Sequence, residues 1–591
     1  MLDPRIYRVG LIPVVLAFVV VAFSLGERPR PIRTTSPPDA FSGPRAFTGL
    51  GDLTGLRRLA KDFPNRRPGS RDDARLADRV AAALRRDRFR VRTRKFSAET
   101  IDGTRRLKTV IAERAGRSSR RIVVMAHRDA AHDGAAAELS GTAALLELGR
   151  VFRERVTNRT LTLVSTSGGS GGAAGAADFA AHAGGPVDAV LVIGDLAGST
   201  LRKPYVVPWS NGLGAAPLDL RRTLDAALAT ELGRSPGGTR SVTQFARFAI
   251  PATVGEQGEL VRHGLPAVLV QASGERGPNA GDAVDADQLQ AFGRGVLRAV
   301  NALDNGPDVG AHPRAEIVIQ RKILPGWAVR LLVGTLLIAP AFAVIDGFAR
   351  ARRRREPVVR WLGWVLAGAL PFVAAALFAA LLGITGILPA APPGPTPPSA
   401  LPVDGAAIAA LASTACVLAL GWLILRPMVL RWLALPSRPD APGAGAAVMV
   451  TLVTLAIAVW AFNPYTAALL IPAIHLWLLA AAPEVRIPRP VGVALTLVGL
   501  APLALVALVY AFAFGVGPIA FVWGVLLAVA GGHLGPAAAV LWSLVMACSA
   551  AVLAIFARPG PGGPRHEVTV RGPRTYAGPG SLGGTESALR R

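Results

Sequence analysis

Between residues 323 and 557 the chain is a succession of apolar runs, near 325–346, 359–388, 405–426, 443–463, 465–483, 491–513, 516–531 and 535–557. Most are long enough to cross the ~30 Å hydrocarbon core of a bilayer, which takes about 20 apolar residues in a helix. Lipid offers no partner to a backbone N–H or C=O, so a segment placed there must satisfy its own polar groups and becomes helical. The expectation is an all-α polytopic transmembrane bundle of seven or eight helices over 323–557, the run at 516–531 being short and followed by "GGH". Another apolar run, 9–25, follows Arg5 and Arg8 and reads as a transmembrane signal anchor with residues 1–8 in the cytoplasm. The small residues Ala22 and Ser24 also allow a cleaved signal peptide, and both readings put the next region outside.

The loops give the same orientation. The strongest basic loops, 349–360 and 426–440, are expected in the cytoplasm, and the uncharged Pro-rich stretch 389–402 outside. With the first span counted, eight or nine helices are expected in all. The Gly- and Pro-rich end, 558–591, reads as a disordered tail.

Residues 26–48 are a Pro- and Arg-rich linker, 306–322 a second linker, and 49–305 between them is polar enough for a globular extracytoplasmic domain. Short β-branched runs there, "RIVVMA", "TLTLVST", "DAVLVIGD" and "PAVLVQ", alternate with helical patterns such as "GTAALLELGRVFRE". That alternation predicts an α/β domain with a mostly parallel central sheet flanked by helices.

The formal net charge of +26 comes almost wholly from arginine, with lysine only at 61, 95, 108, 203 and 322. Together with abundant Ala and Gly this suggests the coding bias of a GC-rich bacterial genome. The basic residues are scattered or flank apolar runs without interleaved aromatics, so no nucleic-acid partner is expected. The two cysteines, Cys416 and Cys548, both fall in apolar runs, which excludes a cysteine-based zinc site or disulfide framework in the polar domain.

The chemistry-bearing pattern of the polar domain is "AHRD", residues 126–129, at the end of an apolar run and before a helix rich in small residues. With "FPNRRPGSRDDARLADRVAAAL", "TVIAE", "IVVMAHRD", "SGTAALLELGRVF", "DAVLVIGDLAG" and "HGLPAVLVQ" in that order, residues 49–303 resemble the zinc aminopeptidases of peptidase family M28, aminopeptidase Y among them. The resemblance implies a zinc-aminopeptidase-like fold and a dinuclear zinc centre of five ligands. Two zinc ions sharing a carboxylate acidify a bound water, and a glutamate takes its proton.

Carried over position by position, the resemblance makes His127 and Asp195 metal ligands and Asp129 the residue that orients His127. The bridging aspartate falls on Ala137, the base and ligand of the glutamate pair on Gly168 and Gly169, and the last histidine on Pro278. His132, Asp133 and Glu138 lie close by, and Glu138, next to the bridging position, is the residue that could rescue a site. Zinc sites take at least three protein ligands, so His127 and Asp195 alone are remnants, expected to be unoccupied and held by hydrogen bonds at strand ends.

"GGSGG" (168–172) also fits the nucleophile-elbow pattern, with Ser170 as a weaker alternative nucleophile, although Asp195 and His263 are poorly spaced for its partners. In the apolar half, Asp346 is expected to pair near the basic loop from Arg350, and His475 and His533 to be packed or hydrogen-bonded.

The sequence thus points to a multi-pass cell-membrane protein. The expectation is a peptidase-like domain that has lost most of its metal ligands and acts as a non-catalytic binding or scaffold protein of the cell envelope. Its partners would be the bilayer and a peptide or envelope protein, with no cofactor, or zinc if the site is active. An active membrane metallopeptidase with a rearranged site, and a transporter or assembly component working through the bundle, are the alternatives.

Overall fold

The computed structural model describes residues 4–49, 55–310, 312–388, 392–397, 399–436, 442–481 and 487–557. The expected tail at 558–591 and parts of the loops at 389–402 and 426–440 lie outside the described residues.

A seven-stranded sheet organises the polar region. Its strands are β1 (Arg90–Thr100), β2 (Gly103–Arg114), β3 (Ser118–His127), β4 (Arg159–Thr166), β5 (Val187–Ile193), β6 (Val206–Val207) and β7 (Ala267–Val270), in the order β1-β2-β4-β3-β5-β7-β6. The centre, β4-β3-β5-β7, is parallel. Those four strands are the β-branched runs of the sequence, and helices cover both faces, which leaves continuous apolar runs as the only stable composition. The edges differ from the parallel expectation: β1, β2 and β6 run antiparallel to their neighbours. The β1–β2 hairpin is long, with β1 and the start of β2 partly exposed and Leu107 and Thr109–Ala112 of β2 buried.

Two helices matter most to the site. Arg71–Arg86 starts at Ser70, whose Oγ accepts the Asp73 N–H at 3.2 Å, an N-cap that satisfies a free donor of the first turn. Ala136–Phe152 follows β3 and is buried along most of its length, consistent with its small residues. Gly141 lets it sit tightly on β5, because a Cβ there would stand 2.4 Å from the Ile193 carbonyl oxygen.

Seven helices among the described residues are long and apolar enough to cross a membrane: Arg5–Phe23, Gly326–Arg353, Val358–Ile384, Gly405–Trp432, Gly443–Phe462, Arg489–Phe514 and Pro536–Phe556. Two of the expected spans are shorter apolar helices, Pro464–Ala480 and Pro518–Ala530. Asp346 pairs with Arg350 one turn on, with Oδ1 to Nε at 3.1 Å. His475 bonds Tyr7 through Nδ1 and faces the Leu336 carbonyl at 3.2 Å through Nε2, so both ring nitrogens have neighbours within the bundle.

The α/β region docks on the bundle through the helix Ser241–Ala249. Asn463 Nδ2 donates to the Phe248 carbonyl at 2.8 Å and Tyr465 Oη to the Ala315 carbonyl at 2.8 Å. Arg247, buried, pairs with both oxygens of Glu275 and lies 4.4 Å from the ring centre of Tyr510. A small antiparallel sheet, Gly26–Glu27 with Lys322–Leu324 and Ile317–Ile319, joins the end of the first apolar helix to the start of the second.

Candidate functional site

The site sits at the carboxyl ends of the parallel strands, where an open α/β sheet places its crevice. His127 ends β3, Asp195 follows β5 by two residues, and Glu138 is in the first turn of Ala136–Phe152. These three side chains line one cavity of about 60 Å³ together with Glu256, Gly169, Ser170 and Pro278. The structure therefore brings together His127, Asp195 and Glu138, as the sequence suggests, and adds Glu256.

Glu256 is the first residue of the helix Glu256–Arg262. Its Oε1 accepts the Thr166 hydroxyl at 2.6 Å, and its Oε2 stands 3.7 Å from His127 Nδ1. Burial works against a charged imidazole, but the Glu256 carboxylate outweighs it and pushes His127 up to about 9. The two side chains are thus placed to pair with each other inside the protein. Burial also pushes Glu138 up to about 7 against the opposing pull of His127, and burial raises Asp195. One oxygen each of Glu138, Asp195 and Glu256 is buried without a hydrogen-bond partner.

Asp129 departs from its expected role. Its carboxylate accepts the N–H of Gly169 at 3.0 Å, the N–H of Ser170 at 3.1 Å and the Ser170 hydroxyl at 2.6 Å. It holds the Gly-rich turn rather than orienting His127. The same bonds decide Ser170: its hydroxyl is held by a carboxylate, and His263 Nδ1 is engaged with the Glu259 carbonyl at 2.8 Å. A nucleophile elbow needs a histidine on the serine, and the structure supplies none there among the described residues.

The positions without ligands are closed. A Cβ on Gly169 would stand 2.3 Å from the His127 Cβ and 3.0 Å from the Glu256 carboxyl carbon. On Gly168, at φ +79°, it would stand 2.9 Å from the Ala174 Cβ. Ala137 is buried, and Pro278 lines the cavity with a side chain that cannot donate. Among the described residues no three His, Cys, Asp or Glu side chains are grouped to hold a metal ion. The residues present do not fit a dinuclear zinc centre.

Two arginines unmarked by the sequence pattern fix the "AHRD" strand end. Arg128 is buried with its Nε 2.8 Å from Asp73 Oδ1, and it donates to the carbonyls of Ser165 and Thr166, both at 3.0 Å. Arg66, also buried, donates to the carbonyls of Phe63 at 2.7 Å and Ala135 at 2.8 Å.

The Pro-rich loop between two apolar helices lies over the cavity. Gly394 N–H donates to the Gly172 carbonyl at 2.7 Å, and His132 Nε2 bonds the Ser399 carbonyl at 2.7 Å. Pro397 and Ser399 line the cavity itself, and Ala400 packs with Ile101 and Ala131. Gly172, at φ +108°, admits Pro392: a Cβ there would stand 2.2 Å from the proline Cβ.

Residues 109–233 match peptidase family M28. The match spans about a fifth of the chain; it takes in His127, Ala137, Gly169 and Asp195 and ends before Glu256 and Pro278. Among solved structures, a glutaminyl cyclase from Porphyromonas gingivalis is similar at 19% identity, over 44% of this chain and 99% of that one, with a TM-score of 0.32. A zinc aminopeptidase from Bacillus subtilis is similar at 11% identity, over 46% and 99%, with a TM-score of 0.36. A leucine aminopeptidase precursor from Bacteroides thetaiotaomicron is similar at 13% identity, over 46% and 99%, with a TM-score of 0.32. No curated protein matches the chain.

Proposed function

We propose that this is a multi-pass membrane protein whose M28-like domain binds rather than cleaves, as a scaffold or receptor of the cell envelope. The observation that carries the reading is the contact between Gly169 and His127. Where the resemblance places the metal-binding glutamate of the pair, the Gly169 backbone lies against His127 and leaves no room for a side chain. His127 Nδ1 lies 3.7 Å from Glu256 Oε2, so the imidazole has a carboxylate partner within the protein itself.

The occupant the cleft suits is an extended peptide segment. Residues 392–397 and 399–402 of the chain itself lie there now, held through backbone atoms at Gly394 and Ser399. Backbone bonding of that kind is indifferent to side chains, and suits a strand-like partner from an envelope protein.

A second reading has one observation behind it. The Glu256 carboxyl group stands where a side chain on residue 169 would begin, and Glu138 adjoins the empty bridging position. Migrated carboxylates of this kind would rebuild a metal site and make the protein a membrane metallopeptidase.

Hydrolysis of aminoacyl and dipeptide substrates by the full chain, with zinc added, separates the two. The binding reading expects turnover no higher than that of His127→Ala/Asp195→Ala. Turnover lost in that variant overturns it. Resistance of the full chain to alkaline carbonate extraction tests the membrane assignment separately.

A further inference from the structure

A cleft of about 770 Å³, sharing no lining residue with the peptidase-like site, lies between the helix Leu218–Leu232, the loop 233–239 and the linker that leaves the first apolar helix. Its volume is that of a small-molecule site, ~300–1,000 Å³. Its lining is unusual in charge: Arg28, Arg33, Arg221, Arg222 and Arg234 face it against a single acid, Asp225.

These arginines are not spent on the protein's own carboxylates. The one pairing is loose, with Arg221 Nε 3.8 Å from Asp225 Oδ2. Arg221 otherwise donates to the Thr239 hydroxyl at 3.2 Å, Arg222 to the Pro29 carbonyl, and Arg234 lies 6.0 Å from the ring centre of Tyr205. Arg28 and Arg33 are exposed and make no side-chain hydrogen bond or ion pair among the described residues. The acidic neighbours outside the cleft are already engaged: Glu231 with Arg298 at 2.6 Å, and Asp219 with the Gly310 N–H at 2.8 Å. Five guanidinium groups of like charge around one void are costly unless an anion joins them, and their planar forks match phosphate oxygens two at a time.

The walls are fixed in place. Ile32 N–H donates to the Thr223 hydroxyl at 3.1 Å, Arg28 N–H to the Arg321 carbonyl at 3.1 Å, and Val318 N–H to Gln244 Oε1 at 2.8 Å. The position is equally specific. Arg28 follows Phe23, the end of the first apolar helix, by five residues, and Gln320 precedes Gly326, the start of the second, by six. Trp327, at the start of the second helix, is an exposed aromatic of the kind that sits at headgroup level, and Phe23 is exposed at the end of the first.

We propose that this arginine cleft binds a phosphate-bearing anion, presented to it by the headgroup of an anionic lipid at the rim of the bilayer. The lipid as source rests on the membrane assignment above; the phosphate chemistry does not. The linker 26–33 thereby becomes a clamp that ties the domain's orientation to the membrane surface.

The test uses the full chain in a neutral detergent, titrated separately with short-chain phosphatidylglycerol, short-chain phosphatidylcholine and inorganic phosphate. The variant is Arg28→Gln/Arg33→Gln, whose side chains make no hydrogen bond or ion pair among the described residues, and the control is Arg105→Gln/Arg106→Gln, both exposed near the start of β2. Saturable phosphatidylglycerol binding, weakened roughly 30-fold in the variant and unchanged in the control, supports the proposal with a lipid source. Weakening seen for inorganic phosphate alone supports the phosphate site and assigns it a soluble source. Binding of both probes equal in wild type and in a variant that melts at the wild-type temperature overturns it. Should carbonate extraction release the wild-type chain, the membrane assignment fails by itself, and the inorganic phosphate titration still decides the site.

Discussion

Gly169 and His127 are in contact so close that a Cβ on the glycine would stand 2.3 Å from the Cβ of the histidine. The relationship explains why the turn must be glycine and why the imidazole finds its charge partner in Glu256. Gly169→Ala should therefore cost stability by overpacking, about 1–3 kcal/mol. Gly281→Ala, where a Cβ meets nothing within 4 Å, should cost little. In a His127→Gly background the Gly169→Ala penalty should fall by more than half, measured as melting temperatures of the full chain. An equal penalty in both backgrounds would show that the contact is not what excludes a side chain.

Asp73 and Arg128 form the ion pair beneath the site, both buried, at 2.8 Å. Asp73→Ala leaves a guanidinium uncompensated in the core and should destabilise by about 3–5 kcal/mol. Replacing Asp62, whose contact with Arg58 lies at the surface, should cost no more than about 1 kcal/mol. Thermal unfolding of the two variants checks the ranking, and comparable losses would contradict it.

The loop over the cavity depends on Gly172. Gly172→Ala brings a Cβ to within 2.2 Å of Pro392 and should expel the described part of the loop, 392–397 and 399–402. Limited proteolysis should then cut within that segment faster than in wild type. Gly134→Ala, at an equally left-handed φ of +69° but with open space around it, should leave the cutting rate unchanged.

Asp225 supplies a pH dependence. Burial pushes its carboxyl up to about 6 from an ordinary 3.8, against the opposing pull of Arg221, Arg222 and Arg28. The folded state therefore holds the proton more tightly than the unfolded chain. That contribution is fully present below about pH 4 and is lost as pH rises through 6. Asp225→Asn removes the dependence, so the variant should gain on wild type between pH 4 and pH 7.5. Melting curves at the two pH values check this, and a stability difference that does not change with pH would contradict it.

The four central strands were legible because each is a β-branched run bounded by Gly or Asp, and burial on both faces admits little else. The strand Arg90–Thr100 was not, since "RVRTRKFSAET" presents polar side chains to solvent and carries no strong apolar period. His127 and Asp195 could be placed together through the resemblance to the M28 zinc aminopeptidases, and Glu138 through its closeness to His127 in the sequence. Glu256 could not: "GEQGELVR" holds no recognisable spacing, and only the fold carries it 129 residues back to His127. Arg66 and Arg128 were hidden by abundance, because one buried arginine looks like any other in an arginine-rich chain. The loop 389–402 read as an uncharged external connection, and the seat of its described residues on the cavity depends on how bundle and domain dock.

Zinc content tests the central claim most directly. The full chain, incubated with excess zinc, freed of unbound metal and assayed by elemental analysis, should hold well under one zinc per chain, with no difference in His127→Ala/Asp195→Ala. One or two zinc ions per chain, lost in that variant, would contradict the account and establish a rebuilt metal centre.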